Sequence, residues 1–534
     1  MNTMKLPNKL IKVLTFLFLA TGCNDFLEVD PQNKYLSNNF YVSEDQVFKG
    51  LIAAYDPMQY TFVDGRWSST VMLGEIWSDN ANAGGDNSNF DQPGWQDIDD
   101  LNATTLTGEA ISFWKKNYFG INKANQVLNN VKITSEAIDH YQAEAKFLRA
   151  FYHFELFRFF GPIPVITTQP LPDDKSATRN TLTEVFTQIT SDLQAAIPLL
   201  PSSYSADFTG RITKGAAEAL LGKAYLYWAD LKEDDQSLFA LASVHLKEVI
   251  NSNKYSLLDD YNDLFAFGAA NTAESVFEIQ YSSEVPADFN TPFEFINGNM
   301  MVQMCGIRGL CSSHPDYIEG WGFLLPTSTL YNSFLSDDTY RRDATVIPQT
   351  ELVLGGCAIK SAAQNPVDFQ GYWQQKYANY KGYSATNGGE INVLKDANQP
   401  YIRYADVLLM YAEALVRGGG SQSDAIATID LVRERAKGPG NNTGNFRTTA
   451  DLMTDEGHTL LEVIWYERRA EFAGEGDRWF DLVRSGRADA SLFDVSDLRH
   501  ANFDANDLYL PIPQKEVDLT GNGLTAYPDP SLFQ

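Results

Sequence analysis

From residue 111 onward the chain builds a helical stripe, stops it with glycine or proline, and starts again. That cadence narrows the possible folds more than any other feature. Ile111, Trp114, Tyr118, Ile121, Asn125 and Leu128 recur in steps of three and four, the spacing of one helix face. A second helical pattern covers about 136–160 and ends at Gly161-Pro162, a firm stop. Thr181-Leu182-Thr183-Glu184 is a capping box that opens a helix ending near Pro198. Alanine-rich helices follow at about 213–229 and 236–251. One helical pair cannot bury its apolar face alone, so neighbouring pairs must stack. The expected fold is mostly α, a tetratricopeptide-like α–α superhelix.

The rest of the chain is organised around this frame. Ser43-Glu44-Asp45-Gln46 is a further capping box, followed by Val47, Leu51, Ala54 and Tyr55 at helical spacing. Residues 59–108 are rich in Gly, Asn, Asp and Ser and read mostly as one long loop. Between about 275 and 400 the texture turns irregular again. "ESVFEIQY" reads as a strand or extended segment, and aromatic-rich loops follow. Helical patterns return at about 404–417, 423–436 and 456–474. The expected organisation is a leader at 1–22, a helical part at 23–275, and a loop-rich part at 276–534 with returning helices, the last two forming one unit. Helical scaffolds carry function on loops, so a binding surface is expected on the two irregular regions.

The leader carries Lys5, Lys9 and Lys12 and no acid, then an apolar run from Val13 to Ala20 broken only by Thr15. It is shorter than the roughly 18 apolar residues of a spanning helix, and it has the layout of a secretory signal peptide. Ala20-Thr21-Gly22 runs into Cys23. This resembles a bacterial lipobox, in which the cysteine is acylated, although Leu19 stands four places before Cys23 where the usual pattern has leucine three before. Cys23 is therefore the expected lipidation site. The other reading is an ordinary cleavable signal with an incidental cysteine. Several acyl chains together hold a protein durably to a membrane.

The formal charge of −28 repels nucleic-acid phosphates and favours a neutral ligand. A hydrophobic content of 44% argues against disorder. Beyond Cys23 the cysteines are Cys305, Cys311 and Cys357, an odd set that excludes a full disulfide framework. Cys305 and Cys311 either close a small loop or remain free thiols. No CxxC pair is present, which excludes a zinc site of that kind.

Six segments, met in this order, resemble the SusD/RagB family of outer-membrane nutrient-binding lipoproteins. They are "EAKFLRAFYHFELFRFFGPIPV", "RNTLTEVFTQITSDLQAAIPLLP", "GRITKGAAEALLGKAYLY", "YIRYADVLLMYAEAL", "ERRAEFAGEGDRWFDLVRSGR" and "LYLPIPQKEV". The resemblance implies four tetratricopeptide-like helix pairs with a less regular C-terminal part packed on them. It implies a lipid-anchored protein at the cell surface, over which no enzymatic activity is expected. Its partner would be a SusC-like TonB-dependent barrel transporter. Its ligand would be an oligosaccharide, or a peptide in a minority branch.

Enzymatic readings of the residues are weaker. Glu467 and Glu471 share a helix face, a pairing that could serve glycoside hydrolysis. Arg468, Arg469 and Arg478 crowd them, and positive neighbours lower a carboxylate pKa, the reverse of what a general acid needs. An ion-paired structural helix end is expected there, and likewise at Asp406 and Glu413 beside Arg403. No HExxH is present. Gly215 to Lys223 has the wrong spacing for a phosphate loop. "DNSNFDQ" offers oxygens for calcium but lacks the glycine and distal glutamate of an EF-hand loop. No cofactor and no metal are expected.

A neutral sugar offers apolar C–H faces and hydroxyls, which call for flat rings and short polar side chains. Trp95 is the first candidate, because it follows Pro93-Gly94 in a polar loop with Asn89 and Asp91. Trp67, beside Gly65-Arg66, and Tyr317 and Trp373 in the later loops complete the expected ligand set. For each ring the alternative is packing beneath its own loop. Trp321 in "GWGFLLPT" and Trp77 are expected to pack, and Trp114 and Trp228 to lie in the core.

Overall fold

The computed structural model describes residues 40–533 apart from 64, 89–90, 170–174, 293–294, 355–364, 384–387, 441–445 and 522. Cys23 and Asn89 therefore lie outside the described residues. The frame begins with α1 (Glu44–Tyr55), whose N-cap Ser43 accepts the Gln46 N–H. After two short helices, α2 (Thr70–Ile76) and α3 (Pro93–Asp99), come α4 (Gly108–Asn130) and α5 (Glu136–Phe160). Next are α6 (Leu182–Ala196), α7 (Lys214–Leu231) and α8 (Gln236–Asn251). The Thr181–Glu184 capping box forms at the start of α6. Successive helices pack on one another from α4 to α8.

The stack does not stop at residue 251. Helix α8 packs against α9 (Tyr404–Arg417), and α9 against α10 (Gln422–Ala436) and α11 (Leu460–Phe472). The helical superhelix thus spans both halves of the chain, with residues 280–398 as an excursion from it. The expected strand forms: β4 (Ser275–Ile279) pairs antiparallel with β8 (Gln399–Arg403) and closes the base of that excursion. Three further two-stranded ribbons serve the irregular parts. They pair β1 (Phe62–Val63) with β2 (Arg66–Trp67), β3 (Ala81–Gly84) with β5 (Phe323–Pro326), and β6 (Val346–Pro348) with β7 (Tyr372–Gln374). No helix among the described residues is long and apolar enough to cross a membrane.

Two points that the sequence left coarse or open are sharpened. Residues 59–108 are irregular over about half their length, but the short elements β1, β2, α2, β3 and α3 punctuate them. Some of their small polar side chains are buried on protein partners. The Asn80 amide donates to Glu75 at 2.9 Å, and the Asn82 amide to the Asp368 carbonyl at 2.8 Å. The Cys305–Cys311 loop does not form. Cys305 is a buried free thiol whose pKa burial raises, and Cys311 is disulfide-bonded to a partner outside the described residues.

The "ERRAEFAGEGDRW" block is the electrostatic centre of the fold. Fully buried Glu471 of α11 meets Arg403 of β8 at 2.9 Å, Arg341 at 3.3 Å, and Arg435 of α10. Glu274, just before β4, also accepts from Arg403 and Arg435. Glu467 pairs with Arg341 at 2.9 Å and with Arg433. Further along, Arg468 bridges Asp406 and Asp481, both at 2.7 Å. Arg484 joins Glu413 at 2.8 Å to Asp230 at 2.6 Å. Lys223 and Arg158 meet on Asp477, each at 2.9 Å. Burial opposes ionisation of Glu471, but Arg435, Arg403 and Arg341 outweigh it and hold the carboxyl well below the usual range. Glu413 is lowered to about 2 by Arg484 against the same desolvation. These are structural anions, as the sequence reading expected. Gly474 and Gly476 make the following turn with φ of +84° and +92°, and their N–H groups donate to Glu75. A side chain at Gly476 would strike the Val71 backbone.

Removing one partner from such a cluster leaves charge uncompensated in the interior. Glu471→Ala is expected to cost about 3–5 kcal/mol. Lys49→Ala, which breaks the exposed Lys49–Asp45 pair on α1, should stay within about 0.5 kcal/mol. Urea unfolding midpoints measure both. His153 supplies a pH test. Its ring is buried, its Nε2 accepts the Ile166 N–H at 3.2 Å, and its Nδ1 lies 2.9 Å from the Arg149 carbonyl, which places the proton on Nδ1. Burial lowers its pKa from 6.5 to about 4, against the pull of Asp192. The neutral ring thus contributes stability that is present above pH 6.5 and lost as the pH falls through about 4. The size is about 3 kcal/mol. His153→Gln should flatten the dependence of unfolding free energy on pH across that window.

Candidate functional site

Three chain segments far apart in sequence meet at one surface. The β1–β2 hairpin brings Phe62 and Trp67. Their rings pack edge to face at 4.4 Å. Trp67 is only 8% exposed, and its outer side meets Trp321 at 6.1 Å. Trp321, partly exposed, stacks on Phe289 with centroids 6.2 Å apart and planes 28° from parallel. Phe289 is 48% exposed. An aromatic shelf results, buried at Trp67, partly exposed at Phe62 and Trp321, and most open at Phe289.

The shelf is fixed from below by backbone pairing. Ribbon β3–β5 sets Gly84 opposite Phe323. Gly85, at φ +86°, donates its N–H to the Gly322 carbonyl at 2.8 Å. A Cβ at Gly85 would strike the Phe323 ring, so glycine is required where the two loops touch. The adjoining polar edge is Asp86 with Arg308. Their side chains pair at 2.5 Å, and Arg308 also donates to the Trp321 carbonyl at 3.2 Å. Asp86 further accepts the Ser88 N–H and hydroxyl at 2.8 and 2.7 Å. No group of three or more His, Cys, Asp or Glu side chains suited to a metal is present among the described residues.

The residues singled out from the sequence scatter. Trp95 lies in α3 with no exposed surface and packs edge-on against Phe323 at 4.9 Å. Trp373 lies in β7, equally buried, with Phe369 at 4.6 Å. Neither presents a ring to solvent, which corrects the expectation that these loop indoles are exposed. In each case a strand or loop distant in sequence covers the ring. Trp67 joins the shelf as its buried back. Tyr317 is half-buried, stacked against His314 at 4.9 Å, with Gln375 donating to its hydroxyl at 2.9 Å. Asp91 is half-buried on the Asp86 loop, where its carboxylate accepts from Gln92. Asn89 belongs to the same loop but lies outside the described residues.

Three residues of the shelf were not anticipated. Trp321 was expected to pack, and Phe62 and Phe289 were not among the candidates. The signal available was the run "EVPADFNTPFEF", where large apolar residues sit among Pro, Asp and Asn. Val285, Phe289 and Phe295 in it are each about half exposed or more.

Comparisons with known proteins place this architecture. The family described as "Starch-binding associating with outer membrane" matches residues 25–226, and the "SusD family" matches residues 358–528. "SusD-like protein P2" of Formosa agariphila is 26% identical over 96% of this chain and 97% of its own. A solved laminarin-binding SusD-like protein is 31% identical, with a TM-score of 0.78 over 91% of this chain and 100% of its own. Surface glycan-binding protein A from Bacteroides thetaiotaomicron, solved with laminarihexaose, is 25% identical, with a TM-score of 0.78 over 91% and 99%. The helical superhelix, the ordered sequence blocks and these likenesses agree: the chain belongs to the SusD/RagB family.

Proposed function

We propose that this protein is a cell-surface glycan receptor. It captures oligosaccharides and passes them to a SusC-like TonB-dependent outer-membrane transporter, held to the membrane through lipidated Cys23. The half-open Trp321–Phe289 shelf carries this reading. Its rings suit the C–H faces of a sugar, and each aromatic contact contributes on the order of 1 kcal/mol by analogy with aromatic pairs. Arg308 and Asp86 at the edge suit hydroxyls, with Asp91 and Asn89 on the same loop and Tyr317 further along the same excursion as outer contacts. Two relatives named for laminarin or crystallised with laminarihexaose make a laminarin oligosaccharide the first ligand to test. A shallow surface of few contacts gives weak, reversible capture, which suits a protein that hands its ligand on. Family likeness to binding proteins, and carboxylates locked into buried ion pairs, support a non-enzymatic role.

Titration calorimetry with laminarihexaose tests this. Trp321→Ala is expected to weaken binding about tenfold or more, the equivalent of roughly 1.4 kcal/mol, with a smaller loss for Phe289→Ala. Absence of binding by the unaltered protein at millimolar glycan would overturn the ligand assignment. Trp95→Ala should behave differently. It empties core volume and is expected to cost about 3–5 kcal/mol of folding stability, read by thermal unfolding, with affinity retained in the folded fraction.

A further inference from the structure

A polar cleft opens in the helical frame where the chain enters α7, and it shares no lining residue with the aromatic shelf. It encloses about 220 Å³, roughly the volume of seven liquid waters, which is room for one small ring and not for a chain. Buried Val276 and Phe277 of β4 form its floor. The loop at 202–211 lines one side, and Lys254, Tyr255 and Asn271 line the other.

Both sides are held by the fold. The loop is closed at its base by the Lys214 N–H, which donates to the Pro201 carbonyl at 2.8 Å. Arg211 pairs with Glu144 of α5 and lies over the Tyr204 ring at 4.6 Å. Gly210 takes φ of +91°, and a Cβ there would strike the Gln280 side chain, so glycine brings the loop against the end of β4. Opposite, the Asn271 and Gln280 amides exchange hydrogen bonds at 2.8 and 3.1 Å, and the Asn271 N–H donates to Glu278 at 2.8 Å. The Tyr255 hydroxyl stands 3.2 Å from that of Thr213 and ties one side to the other. Walls fixed in this way lose little freedom on binding.

The lining narrows the chemistry. Glu144 answers Arg211, while Lys254 and Glu278 add one charge of each sign. The cleft therefore lacks the surplus charge that an ionic ligand needs once water is displaced. An apolar ligand would strand the hydroxyls of Ser202, Ser203 and Ser275 and the Lys254 amine, which make no hydrogen bond among the described residues. We propose that this cleft seats one neutral sugar ring, a second glycan contact on the helical frame that rests on the receptor reading above. The serine hydroxyls donate and accept, the amine donates, and the half-buried Tyr255 ring offers a surface to the sugar C–H side. One such contact is weak alone. On a glycan long enough to reach both places it becomes an intramolecular event, so polysaccharide is retained longer than short fragments.

Hydrogen exchange with millimolar laminarihexaose reads the cleft and the shelf separately. The segments 201–211 and 252–256 are expected to slow on the order of twofold or more, in the unaltered chain and in Trp321→Ala alike. Ser203→Trp, at an exposed position, fills the cleft. It should abolish the slowing at 252–256 and leave the slowing at the shelf, which also shows that the variant is folded. Slowing confined to the shelf would overturn the cleft and leave the receptor reading standing. Slowing at 252–256 that survives Ser203→Trp would overturn it too, because the effect then arrives from elsewhere. Absence of slowing anywhere defeats both readings, whereas slowing at the cleft alone keeps the cleft and removes the shelf.

Discussion

Glu471 gathers three guanidinium groups in a place that water does not reach. Desolvating so many ions is costly, and only mutual pairing offsets it. The arrangement is therefore all or none: each ion is tolerable only while the others are in position. The partners come from β8, from α10, from the helix Thr339–Thr345 and, through Glu274, from the start of β4. Three of those segments, β4, β8 and the helix Thr339–Thr345, are the two ends and the middle of the excursion at 280–398, and α10 belongs to the helical frame. One ionic knot thus ties the irregular region to the helical frame, and the position of the aromatic shelf follows from it.

The frame was legible because its signals are local. Helical period, the Thr181–Glu184 box and the Gly161-Pro162 stop act within a few residues of themselves. The continuation of the stack from α8 into α9 was not legible, since more than 150 residues separate them and nothing in either helix names its neighbour. The short elements within residues 59–108 were not legible for a related reason. Their Asn and Ser side chains have the composition of a solvated loop, yet their partners are internal, as Asn82 on the Asp368 carbonyl shows. A polar residue carries no mark of whether water or protein will satisfy it.

The same limit governs the site. Trp95 and Trp321 both stand beside glycine in polar or irregular stretches. Trp95 is covered by Phe323 and vanishes into the core, while the Trp321 ring meets Trp67 behind and Phe289 beside it and stays partly exposed. What separates them is which distant segment arrives, and that is decided by the β3–β5 ribbon rather than by either local sequence. Arg308 illustrates how the fold prepares the outcome. Held between Asp86 and the Trp321 carbonyl, it fixes the backbone of the indole before any ligand comes, so little conformational freedom remains to be lost on contact.

The antiparallel pairing of β4 with β8 has a consequence for how such proteins diversify. The chain leaves the helical frame and returns to it on adjacent strands, so the distance between exit and entry is set by the ribbon and not by what lies between. Insertions, deletions or wholesale replacement inside that span need not disturb the packing of the supporting helices. The architecture separates a fixed chassis from an exchangeable display, and new specificities can be grafted at a single paired doorway.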